Sequence, residues 1–556
     1  MKQTIEVIWF KRDLRTEDHQ PLVDACLSAT ADPQSSCLIL PIYIIEPEIW
    51  QTKQVSLRHW HFIYQSLIEL DQDLRLLGQP LQVMHGSAVS VFEDLFQKYQ
   101  VNALRSHQET GTAESFNRDL AVKKLCHQKS ISWFEIPQHS VQRGFLNRDH
   151  YSAIMQSFFT KPPLEKPSYI QPQAIALKNA ISEQHLWKTN PYLELEENTT
   201  FYAFENTQQG GRKQGLSLLN SFLGHRHRKY LANISKPLGG DIFSSRLSAH
   251  LAYGTLSIRE VMFYTQQANQ TLSQQPQIIQ NSHRTDNPQS RQKSRGLPVF
   301  QQRLFWQSHF IQKLETEPNI EFQAMHPAYQ NIRSWDKTAQ HHYQAWSQGL
   351  TGFPMIDAAM RCLHKTGWLP FRMRALLVSF ASYQLWIPWQ KTAHHLARLF
   401  TDYEPGIHYS QIQMQSGTTG INAIRIYNPI KQSQEHDANG AFIRKWCPEL
   451  NNLDNHQIHT PWEHDLINNA AGLDYPAPIV DLEEATKRAK DKIYGIKNGA
   501  HNKKLSQAVF QKHGSRNSPE RRAKRVNSKN KVNLSAKANR ATKTNPPINE
   551  QQLTLF

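Results

Sequence analysis

The chain has 556 residues, with 63 Lys and Arg against 47 Asp and Glu, a formal charge of +16 at pH 7, and 39% of its residues are hydrophobic. At roughly 100–200 residues per domain, this length predicts more than one folded domain, and the composition excludes a wholly disordered or collagenous chain. Mean hydropathy is −0.61, no run approaches the roughly 18 apolar residues of a membrane helix, and the first residues lack the order of a signal peptide, which together predict a cytoplasmic protein.

Residues 1–145 alternate β-rich runs with amphipathic runs. Apolar residues at helical spacing predict helices over 56–77, 88–99 and 112–126. Strand-like runs occupy 6–10, 37–45, 81–84, 102–105 and 132–136. This alternation predicts an α/β fold with a doubly wound parallel sheet. The region has no G-x-G-x-x-G or Walker sequence, so a ligand here would be held by other groups.

The pattern changes after residue 145. Proline-rich, irregular residues 146–200 are predicted to be a linker, and residues 201–485 have the apolar spacing of an all-α domain. Its clearest predicted helices are 299–314, 354–365, 371–385 and 391–399. The Gln-, Asn- and Ser-rich segment 266–295 is predicted to be a surface loop or insertion.

The cysteines do not suggest a metal site. There are five, they lie far apart, and none forms a C-x-x-C pair. An odd, dispersed set indicates free or buried thiols rather than a disulfide framework, a zinc site or an iron–sulfur cluster.

The positive charge is concentrated at the C-terminal end. Residues 497–556 contain fourteen Lys and Arg and two acidic residues, a net charge of +12. Few large apolar residues and no sustained period predict a disordered basic tail over 486–556. Such a tail is typical of an arm that binds nucleic acid through release of counterions, and a tail that only aids solubility is the alternative.

Several long motifs, in order along the chain, resemble the DNA photolyase/cryptochrome family. They lie at 7–15, 244–254, 351–361, 366–374, 425–429 and 442–446, so the resemblance spans nearly all of residues 1–480. It implies an N-terminal α/β antenna domain and a C-terminal helical domain that binds FAD, in a divergent bacterial branch of the family.

The resemblance also implies which residues hold the FAD. A polar helix start would grip its pyrophosphate and ribityl chain, a buried ion pair would lie beside its isoalloxazine ring, and further side chains would line the cavity. These residues are Tyr230, Ser244, Ser245, Arg246, Leu247, Ser248, Phe300, Arg303, Gln307, Arg374, Asp402, Glu404 and His408. Arg374 would favour an anionic reduced flavin, because a fixed cation lowers the energy of a nearby anion at low dielectric.

In this family, light-driven electron transfer from reduced FAD splits a pyrimidine dimer that has been flipped out of the duplex. Trp306 matches the tryptophan that stacks on the substrate. Four departures from the family pattern bear on catalysis or on the redox state of the flavin. His408 stands where an Asn usually faces the flavin, which predicts a flavin redox state that changes with pH near neutrality. Arg303 replaces a substrate-side Glu, and Met414 replaces a second substrate-contacting Trp.

The fourth departure concerns electron transfer. Trp389 and Trp335 match the middle and outer members of the family's chain of three tryptophans, whereas the innermost member is Ile412. Photoreduction by that route is therefore predicted to be impaired, with Trp386 or Tyr409 as substitutes. Repair itself requires only reduced flavin.

Two further partners follow from the resemblance. Glu109, in a loop after a predicted strand, is the candidate contact for a second antenna chromophore, which would be a folate, a deazaflavin or a lumazine. The last residues resemble the peptide that binds the bacterial sliding clamp, with Gln552, Leu553, Leu555 and Phe556 as anchors on a polar tether.

The leading hypothesis is a monomeric, light-dependent DNA repair enzyme, a lyase that splits cyclobutane pyrimidine dimers. A cryptochrome-like blue-light photoreceptor without repair activity is the alternative from another class, and repair of (6-4) lesions is a second alternative. A flavin-bearing module that only binds DNA is the third.

Overall fold

The computed structural model describes residues 2–30, 37–145, 148–168, 174–177, 180–181, 183–193, 207–274, 295–464 and 474–514. Within them the predicted fold class is confirmed: an N-terminal domain with a parallel sheet precedes a helical domain. None of the helices in these ranges combines the length and apolar character needed to cross a membrane.

The N-terminal sheet has five parallel strands in the order β3-β2-β1-β4-β5. Their bounds are β1 Thr4–Phe10, β2 Leu38–Ile45, β3 Gln82–His85, β4 Gln100–His107 and β5 Ser132–Ile136. The central strand β1 is buried on both faces, with Ile8 and Phe10 in one apolar cluster and Val7 and Trp9 in another. Burial on both faces explains its continuous apolar run, as expected for a parallel sheet covered by helices.

Five helices cover the sheet: α1 Gln20–Thr30, α2 Pro47–Trp50, α3 Leu57–Leu76, α4 Ala88–Lys98 and α5 Ala113–Gln128. In the described part of the predicted linker, the one α-helix is α6 Tyr151–Thr160, which packs through Phe159 into the apolar cluster of Phe222 and Leu304.

The helical domain follows. Its first half comprises α7 Arg212–Gly224, α8 Tyr230–Asn233, α9 Pro237–Phe243, α10 Ser248–Ala252, α11 Ile258–Gln274, α12 Gly296–Thr316 and α13 Lys337–Gln348. Its second half comprises α14 Pro354–Thr366, α15 Phe371–Ser379, α16 Trp389–Leu399, α17 Pro405–Ser416, α18 Pro429–His436 and α19 Ala441–Trp446. The nearly fully buried α17 packs against α12, α15 and α16.

The structure differs from the sequence-based expectation in three helical regions. Residues 266–274 of the predicted surface loop belong to α11, and 275–294 lie outside the described residues. The predicted helix 371–385 is α15 followed by a π-helical turn, Phe380–Gln384, and Trp386 just beyond it has a left-handed φ of 57°. The predicted irregular tail begins with two helices, α20 Leu482–Lys497 and α21 Ala500–His513. Ala485, Ala489 and Ile493 form the buried face of α20, so its first turns belong to the folded body.

The two domains meet at the loop after β1. The Leu14 amide donates to the Tyr253 carbonyl at 3.1 Å, and the Arg15 guanidinium donates to the Gly254 carbonyl at 2.9 Å. Gly254 has a φ of +66°, and a Cβ there would lie 2.3 Å from the Arg12 carbonyl oxygen. Only glycine permits this close approach of the two backbones.

Candidate cofactor and substrate site

A cavity in the helical domain brings together eleven of the thirteen residues predicted to hold FAD. This helical-domain cavity encloses about 900 Å³ of empty space, part of it open to solvent. The predicted residues in its wall are Tyr230, Ser244, Ser245, Arg246, Leu247, Ser248, Phe300, Arg303, Gln307, Asp402 and Glu404. Trp368 and Phe371 add aromatic surface. Trp368 lies inside one of the motifs that carry the resemblance, but it was not predicted to line the cavity.

The segment before α10 presents unpaired donors to the cavity. The Ser244 Oγ and the Arg246 Nε are buried and have no hydrogen-bond partner among the described residues. Arg246 has a φ of 59°, an unusual conformation for a residue with a side chain, and its guanidinium lies 4.1 Å from the Trp368 ring centre. Burial lowers the pKa of Arg246 to about 10, so the guanidinium is charged at neutral pH. Unpaired donors and a fixed cation suit a diphosphate group.

A buried ion pair lies behind the cavity wall. Arg374 donates to both Asp402 oxygens, at 2.9 and 2.8 Å, and its Nε donates to the Leu369 carbonyl at 2.7 Å. Both side chains are only 2% exposed. This two-bond geometry fixes Asp402 in the wall.

Arg303 turns into the helical-domain cavity. Its guanidinium donates to the Tyr230 hydroxyl and lies 5.1 Å from the centre of that ring. The side chain is therefore committed to the wall that would face a bound cofactor. Its predicted second role, as a direct substrate contact, stays a prediction.

His408 does not line the cavity and is not poised to titrate near neutrality. Its Nε2 is 2.9 Å from the Ala393 carbonyl oxygen, and the residue is 1% exposed. Burial lowers its pKa to about 3, with smaller contributions from neighbouring charges. A buried imidazole that donates to a backbone carbonyl stays neutral over the physiological range, which argues against the predicted pH-dependent switch at His408.

Trp306 lies on a separate cavity between α6 and α12. This Trp306 cavity is lined by apolar rings, amide side chains and one buried cation: Arg148, Tyr151, Ser152, Met155, Gln156, Phe159, Thr160, Gln266, Gln302, Phe305, Trp306, His309 and Gly514. Trp306 is half-buried, stacks on Phe310 at 5.9 Å and meets His309 edge-on at 5.1 Å. Met414 is half-buried on α17 but is not in this wall.

The tryptophans predicted to transfer electrons occupy opposite environments. Trp389 is 2% exposed and shares an apolar cluster with Ile412, whereas Trp335 is 37% exposed. The Trp335 ring lies 5.5 Å from Tyr343, which in turn lies 6.2 Å from Trp346. Tyr343 and Trp346 continue the series of rings that begins at Trp335, and neither was predicted from the family resemblance.

A third cavity opens at the carboxyl edge of the sheet, where ligands of open α/β sheets bind. This sheet-edge cavity has about 810 Å³ of empty space, part of it open to solvent, and includes the predicted antenna residue Glu109. Arg118 donates to Glu109 at 2.7 Å and to Glu46 at 2.9 Å. Burial raises the pKa of Glu46 to about 7, and its second oxygen has no partner among the described residues. Tyr43, Trp50, Tyr253 and Tyr403 supply aromatic walls.

Arg12 links the helical-domain cavity to the sheet-edge cavity. Its guanidinium donates to the Tyr403 carbonyl at 2.7 Å and to Glu404 at 3.2 Å, and it also binds the Ala252 carbonyl at 3.0 Å. Glu404 lines the helical-domain cavity, whereas Arg12 and Tyr403 line the sheet-edge cavity. An N-terminal residue thus orients part of the wall in the other domain.

One cluster in the described residues has metal-ligand composition: Asp13, His19 and His107. Both imidazoles bond to Asp13 Oδ2, at 2.9 and 2.7 Å, and Asp13 Oδ1 accepts from the Lys11 amide. His19 Nδ1 accepts from the Leu22 amide, which places its proton on Nε2 toward Asp13. That tautomer satisfies the cluster internally and leaves no lone pair on Nε2 for a cation.

Two family models match the chain. The model of DNA photolyase matches residues 6–143, and the model of the FAD binding domain of DNA photolyase matches residues 300–495. A deoxyribodipyrimidine photo-lyase of Buchnera aphidicola is 26% identical over 490 residues, which are 86% of this chain and 95% of that protein. Cryptochrome-1 of Aedes aegypti is 25% identical over 521 residues, 88% of this chain and 92% of that protein.

Solved structures share the fold. A class III photolyase from Agrobacterium tumefaciens superposes with a TM-score of 0.72 at 23% identity, covering 90% of this chain and 99% of that one. A photolyase from Sulfolobus tokodaii with two FAD molecules superposes with a TM-score of 0.67 at 24% identity, covering 88% and 100%.

The chain belongs to the DNA photolyase/cryptochrome family, and its helical domain is the family's FAD-binding domain. The residues fit the cofactor: unpaired donors at Ser244 and Arg246 suit the diphosphate, and the aromatic wall of Phe300 and Trp368 suits flat rings.

Proposed function

We propose that this protein is a light-dependent DNA repair enzyme that splits cyclobutane pyrimidine dimers. The observation that carries the proposal is the pairing of two cavities along α12: the helical-domain cavity with its FAD-binding residues, and the Trp306 cavity with its aromatic and amide walls. Reduced FAD, when bound, supplies the electron that opens the cyclobutane ring after light absorption.

The chain's own residues bind and orient the cofactor and the flipped base, and they keep water out of the cavities. Arg246 and the serines before α10 would hold the diphosphate. The Arg374–Asp402 and Arg12–Glu404 pairs contribute no net charge, and Arg246 pairs with Asp241. Arg303 is the cation of the wall that forms no salt bridge with a described carboxylate, and it favours an anionic ligand. Trp306 offers one ring face for stacking on a flipped base, which typically contributes about 1–3 kcal/mol per base.

The direct test uses the purified protein after reduction with dithionite, mixed with an oligonucleotide that carries one thymine dimer. Restored thymines in blue light, and none in darkness, would support the proposal. We expect Trp306→Ala to weaken dimer binding about tenfold with unchanged FAD content, because the flipped base then has no ring to stack on. Phe134→Ala, at a 46% exposed aromatic of β5, is the control.

Two observations favour the second candidate, a cryptochrome-like photoreceptor. Arg303, at the position of the substrate-side Glu, is engaged with Tyr230 in the helical-domain cavity, and Met414 offers no ring for stacking. Absence of repair on both cyclobutane and (6-4) lesions, with intact FAD absorbance, would support this candidate. Repair confined to the (6-4) lesion would identify a different substrate for the same site.

We further propose that the sheet-edge cavity holds a second, light-collecting chromophore. The Arg118–Glu109 pair and the unpaired oxygen of Glu46 are polar groups inside aromatic walls, the arrangement expected for a flat heterocycle. We expect Glu109→Ala to lose any second chromophore while FAD is retained, as measured by absorption and chromatography of the released pigments. Equal pigment content in both proteins would refute the role of Glu109.

The clamp-binding prediction concerns Gln552, Leu553, Leu555 and Phe556, which lie outside the described residues. We propose that this peptide binds the bacterial sliding clamp and that the protein acts as a monomer. Deletion of 552–556 should abolish clamp binding in surface plasmon resonance, and equal binding by the truncated protein would contradict the proposal.

A further inference from the structure

One face of α12 forms part of the wall of the Trp306 cavity. The side chains on that face are Gln302, Phe305, Trp306 and His309, which follow one another at helical spacing. Gln302 stands four residues before Trp306, and residues at this separation are neighbours on the surface of a helix. The amide of Gln302 is therefore within reach of the edge of a base that stacks on the Trp306 ring.

The hydrogen-bonding groups of Gln302 have no structural use in the described protein. The residue is half-buried, and its side chain has no hydrogen-bond partner among the described residues. Gln312 on the same helix is different: its Nε2 donates to the Gln142 carbonyl at 2.9 Å, and its Oε1 accepts from the Gln142 amide at 2.7 Å. Packing thus explains the amide at 312, whereas the amide at 302 is available to a ligand.

The remainder of the wall is polar but mostly uncharged. Gln156 on α6 and Gln266 on α11 supply two further amides without hydrogen-bond partners in the described part of the chain. Among the described residues of this wall, Arg148 is the only Lys, Arg, Asp or Glu, and it donates to the His513 carbonyl at 3.0 Å and to the His309 carbonyl at 3.1 Å. Free amides beside aromatic rings suit a flat, neutral ligand with mixed donors and acceptors.

An amide can bind the edge of either pyrimidine. It carries an acceptor oxygen beside a donor nitrogen, and rotation about its last torsion exchanges the two. Thymine presents the N3–H donor beside the O4 acceptor, whereas cytosine presents the N3 acceptor beside the N4 donor. Both groups persist when a dimer forms, because only the C5–C6 bond is saturated. Glutamine can therefore form two hydrogen bonds with either base, whereas a carboxylate can only accept.

We propose that Gln302 binds the Watson–Crick edge of the pyrimidine that stacks on Trp306, and that its amide accepts thymine and cytosine alike. Dimers that contain either base are then substrates. The proposal rests on the proposed function, because it takes the Trp306 cavity as the seat of the flipped dimer. It adds to that function the hydrogen bonds that hold the base on the ring, and the range of bases that the site accepts.

The contact is tested by changing both of its partners. The full chain with its FAD is titrated in darkness with duplexes that carry one thymine dimer, either unmodified or methylated at N3 of the 5′ base or of the 3′ base. Fluorescence anisotropy measures binding. We expect one of the two methylated substrates to bind about 5- to 50-fold more weakly than the unmodified dimer, because its donor to the Gln302 oxygen is lost. Equal binding of all three substrates would overturn the proposal.

Gln302→Met retains the length of the side chain and removes both hydrogen-bonding groups. The variant should bind the unmodified dimer about 5- to 50-fold more weakly, and methylation should then change its affinity by less than about threefold, because the donor has already lost its partner. A methylation effect as large in Gln302→Met as in the parent protein would overturn the contact.

Gln301→Met is the matched control. Gln301 is the neighbouring half-buried glutamine of α12, and it belongs to neither the Trp306 cavity nor the helical-domain cavity. The control should leave all three affinities unchanged. FAD absorbance and melting temperature verify the fold of both variants, and Gln302→Met should alter neither, since the described protein makes no bond to its amide.

The range of bases is tested separately. The contacted thymine of the dimer is replaced by cytosine, and the substrate is used directly after irradiation because saturated cytosine deaminates in water. We expect the dark affinity of the parent protein to change by less than about threefold. A preference of more than about tenfold for thymine would show that the order of donor and acceptor is fixed at this site, and would overturn the acceptance of both bases.

Two results separate this proposal from the proposed function. If Trp306→Ala weakens dimer binding while Gln302→Met binds as the parent does, the role of Gln302 is overturned and the cavity remains the lesion site. If the parent binds damaged and undamaged duplexes equally and repairs neither lesion in light, both proposals are overturned.

Discussion

His408 shows how burial decides the chemistry of a residue that its type alone would assign to pH sensing. The imidazole has a pKa of about 3, because desolvation of the charged form outweighs its bond to the Ala393 carbonyl. It is therefore neutral throughout pH 5.5–8.5 and acts as a fixed hydrogen-bond donor.

We expect His408→Asn to leave the pH dependence of flavin reduction unchanged over pH 5.5–8.5, since neither side chain changes charge in that range. Spectroelectrochemical titration of both proteins measures this. A proton-linked step present in the parent protein and missing in the variant would mean that bound cofactor returns the pKa of His408 to the neutral range.

Arg374 is the residue whose loss should be most costly. Arg374→Ala leaves the Asp402 carboxylate buried without its partner, which typically costs about 3–5 kcal/mol. We expect less FAD per polypeptide and a lower melting temperature, measured by absorbance and calorimetry. Arg228→Ala, at an exposed arginine, should change neither quantity.

Ile412 interrupts the aromatic path beside Trp389. We expect Ile412→Trp to accelerate photoreduction of the flavin, because an oxidisable ring is restored, and to destabilise the protein by about 1–3 kcal/mol, because the site is 2% exposed and already packed. Transient absorption and urea unfolding measure the two effects. The combination with Trp389→Phe should abolish the gain in rate, and a retained gain would indicate another electron donor.

At the scale of helices and strands, the local pattern predicted most of what was found. The strands β1 to β4 and the helices 57–76 and 88–98 follow their apolar periods, because each buries apolar residues in the core on the sheet. The helix 113–128 buries apolar residues only in its second half, and the edge strand β5 has no buried residue. The helix α21 was not predicted from the sequence. It packs through Val509 against an apolar cluster and binds Arg148 and Glu317, and all of these partners are distant in sequence.

The candidate site also contains parts that the sequence predicted and parts that it did not. Ser244 to Ser248 were predicted because they lie in a long motif of the resemblance, and the other predicted wall residues came from the resemblance outside those motifs. Trp368 and Phe371 lie inside a motif but were not predicted as wall residues. The sheet-edge cavity, apart from Glu109, is assembled from short separate segments between residues 10 and 405, and no local pattern connects them. Only the tertiary structure brings Arg12 to Glu404.

Because α21 packs on the folded body of the protein, we expect truncation before it and truncation after it to change stability by different amounts. We expect truncation after Gly514 to leave stability unchanged, whereas truncation after Gly499 should cost about 2–4 kcal/mol through exposure of the apolar cluster of Leu314, Ile320 and Met325 and loss of the Arg148 bond. Urea denaturation of both truncated proteins checks this. Equal stability of the two would contradict the described packing.

At the scale of the whole molecule, buried histidines predict sensitivity to acid. Burial lowers the pKa to about 3 in a dispersed set: His59, His107, His139, His250, His395 and His408. Each binds a proton near pH 6.5 only in the unfolded chain, so stability is complete above that pH and is lost as the pH falls. The loss is up to about 1.4 kcal/mol per pH unit for each group.

Several carboxyls act in the opposite direction. Burial raises the pKa of Glu46 and Glu321 to about 7, so between about pH 4.5 and 7 each binds a proton only in the folded state and gains stability as the pH falls. Burial also raises the pKa of Asp73, Glu315, Asp357, Glu404 and Asp437. Among the described residues, histidines with a lowered pKa outnumber these carboxyls, and we expect the melting temperature to fall from pH 7 to 5. His395→Leu should reduce proton uptake on unfolding at pH 5 by about one. An identical uptake would contradict the burial of His395.

The reach of Arg12 across the domain junction limits how the molecule could be recombined. The N-terminal domain supplies a cation that the wall of the neighbouring cavity requires, and its backbone approaches Gly254 too closely for any other residue. A chimera could take its N-terminal domain from another family member. It would retain flavin only if the graft also brought an arginine to this position and a matching glycine remained opposite.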